Sequence, residues 1–344
     1  MTATLQTTNI QNAASSTTNL ALDTSGNVTV GSSLTAANNI TATSGTVVMA
    51  SSFLRNRIIN GAMAIDQRNA GSSQTITAAS ALAYTVDRWY AYCTGANVTG
   101  QRVQGASANQ YRYQFTGAAS VTAIGFAQRI EAINSSDLAG TTATLSVDLS
   151  NSLLTTVTWT AYYANSTDTF GTLASPSVTS IATGSFTVTS SIARYSAQIS
   201  IPSAATTGLQ ILFTVGAQTS GTWVIGNVQL EPGSIATPFE RRLYGQELTL
   251  SQRYCYVCTI RPLGITLNGN ALSSGILSYP VTMRTSPTLS NASLTVRNGA
   301  VGTPTLQTSS GQASTLDAAI IYNPTNNWST NAAIAITGTF SAEL

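Results

Sequence analysis

The sequence predicts an all-β protein built from three successive β regions. Short runs of alternating apolar and polar residues recur along most of the chain, and Gly, Asn and Ser separate them. Only 8% of the 344 residues are charged, against roughly 25% in an ordinary soluble domain. The texture of the sequence changes near residue 54 and again between residues 243 and 260. These changes divide the chain into regions 1–54, 55–243, 244–259 and 260–344.

Residues 1–54 contain a weak internal repeat. The segment NLALDTSGNVTV at 19–30 is echoed by NITATSGTVV at 39–48, and each copy reads as strand, turn and strand. A single two-stranded hairpin is marginally stable in water, so we expect three chains to wind together into a β-stalk. The alternative is a disordered tail.

Region 55–243 holds eight or more short strand patterns, among them YTVDRWYAYC, ATLSVDLS, TVTWTAYYA and TWVIGNVQLEP. Strands of this length and spacing are typical of a β-sandwich, and we predict a jelly roll. Residues 244–259 contain helix-forming residues from Gln246 onwards and predict a short helical or extended connector. Residues 260–344 return to strand patterns and predict a smaller C-terminal β domain.

The composition excludes several classes of function. No His is present, so Ser-His-Asp, Cys-His and His-metal chemistry are all excluded. The three Cys residues form no disulfide framework and no zinc-ligand pattern, so we expect small buried hydrophobes and no metal or other cofactor. A net charge of +2 gives no reason to expect nucleic-acid binding. The first residues contain neither a basic segment nor an apolar stretch, so we expect cytoplasmic synthesis and no membrane insertion.

Ten of the 26 charged residues lie in two short windows, one at each end of the sandwich region. We therefore expect ion pairs where the two ends of this domain meet, with Arg57 or Arg68 contacting Glu231 or Glu240. All basic residues are Arg, which favours such bidentate pairing.

Three aromatic residues are candidates for an exposed ligand site. Tyr162 and Tyr163 are consecutive in a strand pattern, so at least one should face outward, and Trp328 lies in a turn-like segment. Rigid rings beside hydroxyl and amide groups suit a neutral sugar, although an ordinary surface aromatic is the simpler interpretation. For Asp87-Arg88-Trp89 we favour a core Trp with structural charges over a sugar platform.

Three stretches together resemble a known family. They are Arg57-Ile-Ile-Asn60-Gly61-Ala-Met63 with Asp66-Gln67-Arg68, then Tyr84-Thr-Val-Asp87-Arg88-Trp89, then Leu230-Glu231-Pro232-Gly233 with Thr237-Pro238-Phe239-Glu240-Arg241-Arg242. In this order they resemble phage and prophage tail-fibre proteins with a carbohydrate-binding-like sandwich, over roughly residues 53–256. The later SYPVTMRTSP at 278–287 also looks like the segment that follows the sandwich in such fibres.

The resemblance implies a homotrimer in the virion, joined to the phage tail or baseplate through its N-terminus. Its later domains would face the host cell. Together with the exposed aromatics, this predicts a non-enzymatic adhesin that binds a host surface polysaccharide.

Two alternatives stay open. An architectural virion protein, such as a baseplate, head-fibre or capsid appendage, could use the same sandwich without binding a receptor. A polysaccharide depolymerase needs only two carboxylates and no His. Six acids are available in the sandwich region, but none forms a recognisable pair: Asp66, Asp87, Glu131, Asp137, Asp148 and Asp168.

Overall fold

A computed structural model describes residues 9–10, 20–22, 28–30, 54–79, 82–105, 110–268, 271–296, 301–302, 305–306, 318–322 and 334–344. The chain divides into two compact units, Met1–Ser52 and Phe53–Leu344.

The first unit contains three short antiparallel strands, β1 (Asn9–Ile10), β2 (Leu20–Leu22) and β3 (Val28–Val30), in the order β1-β2-β3. Strands β2 and β3 pair with Leu20 opposite Val30. The two strands predicted within residues 19–30 are therefore confirmed, while the predicted turn between them lies outside the described residues. The second copy of the repeat, at 39–48, lies outside the described residues.

The second unit begins with a two-sheet sandwich. The sandwich strands are β4 (Gln74–Ile76), β5 (Ala83–Tyr84), β6 (Tyr90–Thr94), β7 (Val98–Gln104), β8 (Tyr111–Thr116), β9 (Ala123–Ile130), β10 (Thr142–Asn151), β11 (Thr156–Ala164), β12 (Val178–Thr187), β13 (Ala193–Ser200), β14 (Leu209–Val215) and β15 (Thr222–Pro232). Two short 3-10 turns, Ala132–Asn134 and Ser136–Leu138, connect β9 to β10.

The strand order within the two sheets is that of a jelly roll. The first sheet runs β13-β10-β15-β8-β7-β4, and the second runs β12-β11-β14-β9-β6-β5. From β8 to β15 nearly every connection crosses between sheets, and the first and last strands of this series lie side by side in the first sheet. That arrangement is the double Greek key of a jelly roll, so the predicted β-sandwich is confirmed.

The core between the sheets is formed by the inward side of alternating strand residues. Trp89 stacks on Phe126 at 4.7 Å between ring centroids, and Phe115 stacks on Trp223 at 5.1 Å. All four side chains are fully buried. Aromatic side chains bury roughly 150–250 Å² each, so this cluster contributes much of the hydrophobic stabilisation of the sandwich.

The beginning and the end of the sandwich run side by side. The Arg57 amide donates to the Leu230 oxygen at 2.8 Å, and the Asn56 side chain both donates to the Val228 oxygen and accepts from the Leu230 amide, each at 3.1 Å. The carboxylate of Glu240 accepts from the Asn56 amide at 2.9 Å. Hydrogen bonds therefore connect the two ends of the domain, residues 54–57 and 228–240. We call this junction the seam.

The partners predicted for the ion pairs across this seam are wrong. Arg57 pairs with Asp137, and Arg68 pairs with Glu343 at 3.1 Å and lies 3.7 Å from Asp87. The arginine that reaches Glu231 is Arg55, at 3.6 Å. The reason is that main-chain amides at residues 54 and 56 occupy the Glu240 carboxylate, while Thr237 donates its amide and hydroxyl to Glu231. Backbone donors thus take the places that the sequence argument assigned to arginines.

After the sandwich, helix α1 (Tyr244–Gln252) is followed by an antiparallel sheet of seven strands that differ in length. Its strands are β16 (Cys255–Asn268), β17 (Ala271–Ser278), β18 (Thr288–Val296), β19 (Val301–Gly302), β20 (Thr305–Leu306), β21 (Ala318–Tyr322) and β22 (Ile334–Ser341), in the order β19-β18-β22-β16-β17-β21-β20. The predicted connector 244–259 therefore covers α1 and the start of β16, and its end falls inside that strand. All three Cys residues are free and buried, as predicted.

A buried group of charges joins the last residues of the chain to the sandwich. Glu343 pairs with both Arg68 and Arg88, and the Arg88 guanidinium lies 3.5 Å from the ring centroid of Tyr254. Asp87 is fully buried beside Arg68, and burial raises its pKa to about 6 although Arg68 opposes the shift. The Asp87-Arg88-Trp89 segment is therefore structural: Trp89 lies in the core, Arg88 pairs with Glu343, and Asp87 accepts hydrogen bonds from Gln67.

Candidate functional site

A cleft lies on the outer face of the second sheet. The strand register places Tyr162 opposite Gln210, and Gln210 opposite Arg129, so these three side chains share one row on one face. The neighbouring row contains Leu212, which lies opposite Ala127, and Ala127 lies opposite Tyr90. The inward residues of the same strands belong to the core. Alternation along the strands thus presents aromatic and amide side chains to one side of this sheet.

Tyr92 extends this face because a glycine lies opposite it. Tyr92 pairs with Gly125, and a Cβ added to Gly125 would lie 2.2 Å from two atoms of the Tyr92 ring. The ring therefore covers the glycine at a distance that no other residue type would allow. The pKa of Tyr92 is raised by burial and, to a smaller degree, by Tyr162. Its hydroxyl is consequently neutral at physiological pH and can both donate and accept a hydrogen bond.

The loop between β11 and β12 forms one wall of the cleft. Bridges pair Ser166 with Thr169 and Gly171 with Pro176, which folds the loop back on itself. Gly171 has φ of +72°, and a Cβ there would lie 2.3 Å from the Ser175 oxygen. The tight turn therefore requires glycine at this position.

Arg129 connects this loop to the sheet. Its Nη2 donates to the Gly171 oxygen at 3.0 Å, its Nε to Gln210 Oε1 at 3.1 Å and its Nη1 to the Leu344 oxygen at 2.8 Å. The guanidinium also lies 5.3 Å from the ring centroid of Phe170 in the loop. Arg129 therefore fixes both the wall of the cleft and the orientation of the Gln210 amide, and each of its three guanidinium nitrogens donates one of these hydrogen bonds.

The cleft has a volume of about 350 Å³. Its lining combines three tyrosines with amide, hydroxyl and aliphatic side chains: Tyr90, Tyr92, Arg129, Tyr162, Phe170, Thr172, Leu173, Pro176, Val178, Ser180, Gln210 and Leu212. No carboxylate is found among these described lining residues. A second, larger pocket of about 740 Å³ adjoins it and shares Tyr92, Thr172 and Leu173 with it. We call it the side pocket; its other lining residues are Ala79, Leu82, Tyr84, Cys93, Thr94, Gly171 and Ala174.

The two consecutive tyrosines predicted from the sequence lie on opposite sides of the sheet. Tyr162 lines the cleft, whereas Tyr163 is half-buried and packs against the core. Tyr163 is therefore not part of the cleft, because consecutive residues of a strand point to opposite faces. Trp328 lies outside the described residues. None of the residues predicted to form structural ion pairs lines the cleft. Arg57, Glu231 and Glu240 lie along the seam, and Arg68 lies at the C-terminal junction, where Glu343 pairs with Arg68 and Arg88.

Several cleft residues were missed by the sequence argument, although a signal for some was present. In Tyr90-Ala-Tyr92-Cys93, alternation places both tyrosines on the face opposite the core residues Ala91 and Cys93. Gln210 and Arg129 had no comparable signal, because their proximity depends on which strands become neighbours.

Within the part of the chain that the structure describes, no group of three or more Cys, Asp and Glu residues could hold a metal ion. No helix among the described residues has the length and apolar character needed to cross a membrane.

Comparison with known proteins shows likenesses only at the level of solved structures. No protein-family model matches the sequence, and no curated protein matches it. A CBM4 structure is similar with 18% identity and a TM-score of 0.33, over 51% of this chain and 98% of that one. The enzymatically active domain of tailspike protein 4 from bacteriophage CBA120 is similar with 18% identity and a TM-score of 0.33, over 52% of this chain and 21% of that one.

A third similar structure is a family 11 carbohydrate-binding module from Clostridium thermocellum in complex with a β-1,3-1,4-mixed-linked tetrasaccharide. It has 16% identity and a TM-score of 0.30, over 49% of this chain and 99% of that one. At this level of similarity, the activities of these proteins do not carry over to the present chain.

Proposed function

We propose that this protein is the receptor-binding part of a phage tail fibre, and that it binds a neutral surface glycan in the cleft on the second sheet. The observation that carries the proposal is the cleft itself, in which Tyr162 and Tyr92 lie beside the Gln210 amide. The sequence motifs that resemble tail-fibre proteins support the virion context.

The chemistry of the cleft suits a sugar. Aromatic rings offer apolar faces to the C–H face of a pyranose, while amides and hydroxyls satisfy its hydroxyl groups. Gln210 and the hydroxyls of Ser180 and Thr172 supply such groups. Arg129 is the charged residue of the described lining, and its nitrogens are already engaged by the protein. A neutral glycan therefore fits better than an acidic one.

The acids of the sandwich support a non-enzymatic role. Glycoside hydrolysis requires two carboxylates that flank the scissile bond. The described cleft lining has none, and each of the six candidate acids is engaged by an arginine or a main-chain amide elsewhere. The pairs are Asp66 with Arg102, Asp87 with Arg68, Glu131 with Arg253, Asp137 with Arg57, Asp148 with Arg194, and Asp168 with the Ala132 amide.

Binding of labelled protein to intact cells tests this proposal. The panel contains several bacterial strains, each with and without its surface polysaccharide, and the proteins are wild type, Tyr162→Ala and Tyr163→Phe. We expect selective binding that disappears with the polysaccharide and with Tyr162→Ala. Tyr163→Phe is the matched control, since this ring packs against the core, and it should bind as wild type does.

Other outcomes distinguish the alternatives. If binding depends on neither the strain nor its polysaccharide, and the protein binds other virion proteins, the architectural role is favoured. Release of oligosaccharides from purified polysaccharide would favour a depolymerase.

The proposal includes a homotrimer that is attached to the tail through the N-terminal region. Low charge and β-branched strands would leave exposed sheet edges prone to unspecific pairing, which association of three chains would limit. Sedimentation equilibrium should give three times the 35.6 kDa of one chain, and a monomer would refute this part of the proposal.

A further inference from the structure

The side pocket differs in chemistry from the cleft that it adjoins. Its lining on the far side of the shared wall consists mainly of aliphatic and aromatic surface from Ala79, Leu82, Tyr84 and Ala174. Tyr92 and Leu173 line both spaces. A ligand seated on the Tyr92 ring therefore contacts the cleft on one side and can extend into the side pocket on the other.

Apart from the Tyr92 hydroxyl, which lies on the wall shared with the cleft, the described polar side chains of the side pocket are already engaged within the protein. The Tyr84 hydroxyl donates to the main-chain oxygen of Leu344 at 2.9 Å, and the Cys93 thiol donates to a main-chain oxygen of β4 at 3.2 Å. The Thr94 hydroxyl is paired with that of Thr122 at 2.7 Å. A sugar hydroxyl placed here would lose its hydrogen bonds to water and find few in return, so this pocket favours an apolar group.

We propose that the side pocket is a specificity site that binds an apolar substituent of the glycan held in the cleft. The substituent is a methyl-bearing group on a neutral sugar, either the methyl of a 6-deoxyhexose or an O-acetyl ester. This inference rests on the proposed glycan-binding function and adds the class of sugar. The unsubstituted sugar is bound by Tyr162, Gln210 and Tyr92, and the substituent is recognised through Leu82 and the ring of Tyr84.

The test uses two sets of matched neutral glycans. One set consists of surface-attached oligosaccharide pairs that differ only in a 6-deoxy or 6-hydroxy group. The other is the purified surface polysaccharide of a strain that binds the protein, before and after removal of ester groups with mild alkali. Dissociation constants are measured for wild type, Leu82→Ser, Leu82→Met and Tyr162→Ala, after thermal unfolding has shown that each variant is folded.

We expect wild type to prefer the substituted member of at least one set by roughly tenfold, the discrimination that a hydrophobic pocket gives for one small apolar group. Leu82→Ser should remove this preference and leave the affinity for the unsubstituted glycan unchanged. Leu82→Met keeps an apolar side chain of similar volume and should keep the preference. Sensitivity to alkali identifies an ester, and discrimination within the deoxy pairs identifies the methyl.

The inference fails if wild type binds both members of every pair equally, or if Leu82→Ser leaves the preference intact. In either case binding that still depends on Tyr162 would leave the proposed function standing. If no glycan binds, or Tyr162→Ala binds as wild type does, the proposed function fails and this inference fails with it.

Discussion

Replacement of Arg129 should change both the stability of the fold and the ligand affinity of the cleft. Its side chain is buried and donates to Gly171, Gln210 and Leu344. In Arg129→Lys the charge remains, but an ammonium on a flexible stem cannot span three acceptors that a planar guanidinium reaches at once. We expect one or two of these hydrogen bonds to be lost.

The magnitude follows from the type of bond. A hydrogen bond from a charged donor contributes roughly 1.5–3 kcal/mol, so the free energy of unfolding should fall by about 3 kcal/mol. The loss is limited at one acceptor, because the Leu344 oxygen also accepts from the Tyr84 hydroxyl at 2.9 Å. Freed from Arg129, the Gly171 turn and the Gln210 amide should become less ordered, and the dissociation constant for the glycan should rise about tenfold.

Urea unfolding gives the stability, and glycan binding well below the unfolding temperature gives the affinity. Amide hydrogen exchange should increase in residues 165–177, which form the loop that Arg129 holds. The matched control is Arg194→Lys. Arg194 pairs with Asp148 at 3.0 Å in the first sheet, away from the cleft lining, so it should leave glycan affinity unchanged. An Arg129→Lys protein with wild-type affinity and loop exchange would refute the positioning role.

Three further predictions follow from individual contacts. Gly125→Ala should displace the Tyr92 ring and weaken glycan binding, whereas Gly216→Ala, with no atom within 4 Å of the added Cβ, should not; affinity measurements decide. Asp87 has a folded pKa of about 6 against 3.8 for the free residue, so its contribution is complete below pH 3.8 and is lost as pH rises through 6. Relative to Asp87→Asn, wild type should lose about 2 kcal/mol of stability between pH 4 and pH 7, measured by urea unfolding; a flat difference contradicts this. Glu231→Gln removes a buried ion pair and should lower stability by about 2 kcal/mol without changing glycan affinity, which parallel unfolding and binding assays check.

Much of the fold follows from local patterns in the sequence. The strand periodicity of Thr156–Ala164 predicts a strand, and the same periodicity places Tyr162 and Tyr163 on opposite faces. The burial of Trp89 follows from the apolar pattern around it, although a turn at Asp87 and Arg88 interrupts the strand that this pattern predicts. These features depend on residues close together in the chain, and the structure bears them out.

What could not be predicted depends on which strands become neighbours. Arg129, Gln210 and Gly171 meet because β9 lies beside β14 and the β11–β12 loop folds back over the sheet. The predicted partners of the ion pairs were wrong for a related reason. Charge spacing indicates that the ends of the sandwich meet, but it cannot show that backbone amides reach Glu240 first.

Charged and uncharged side chains lie in different parts of the sandwich and its C-terminal junction, which bears on how the proposed ligand site tolerates substitution. Ion pairs with a buried carboxylate lie at the seam and at the C-terminal junction, where loss of one partner would leave a buried charge unpaired. The proposed contact surfaces of the cleft and side pocket are instead uncharged side chains such as Tyr162, Ser180 and Leu82. Substitution of these residues changes shape and hydrogen bonding without disturbing an ion pair. Substitutions of the uncharged lining residues should therefore change the sugar that is bound without changing stability. A substitution of Arg129 should change both.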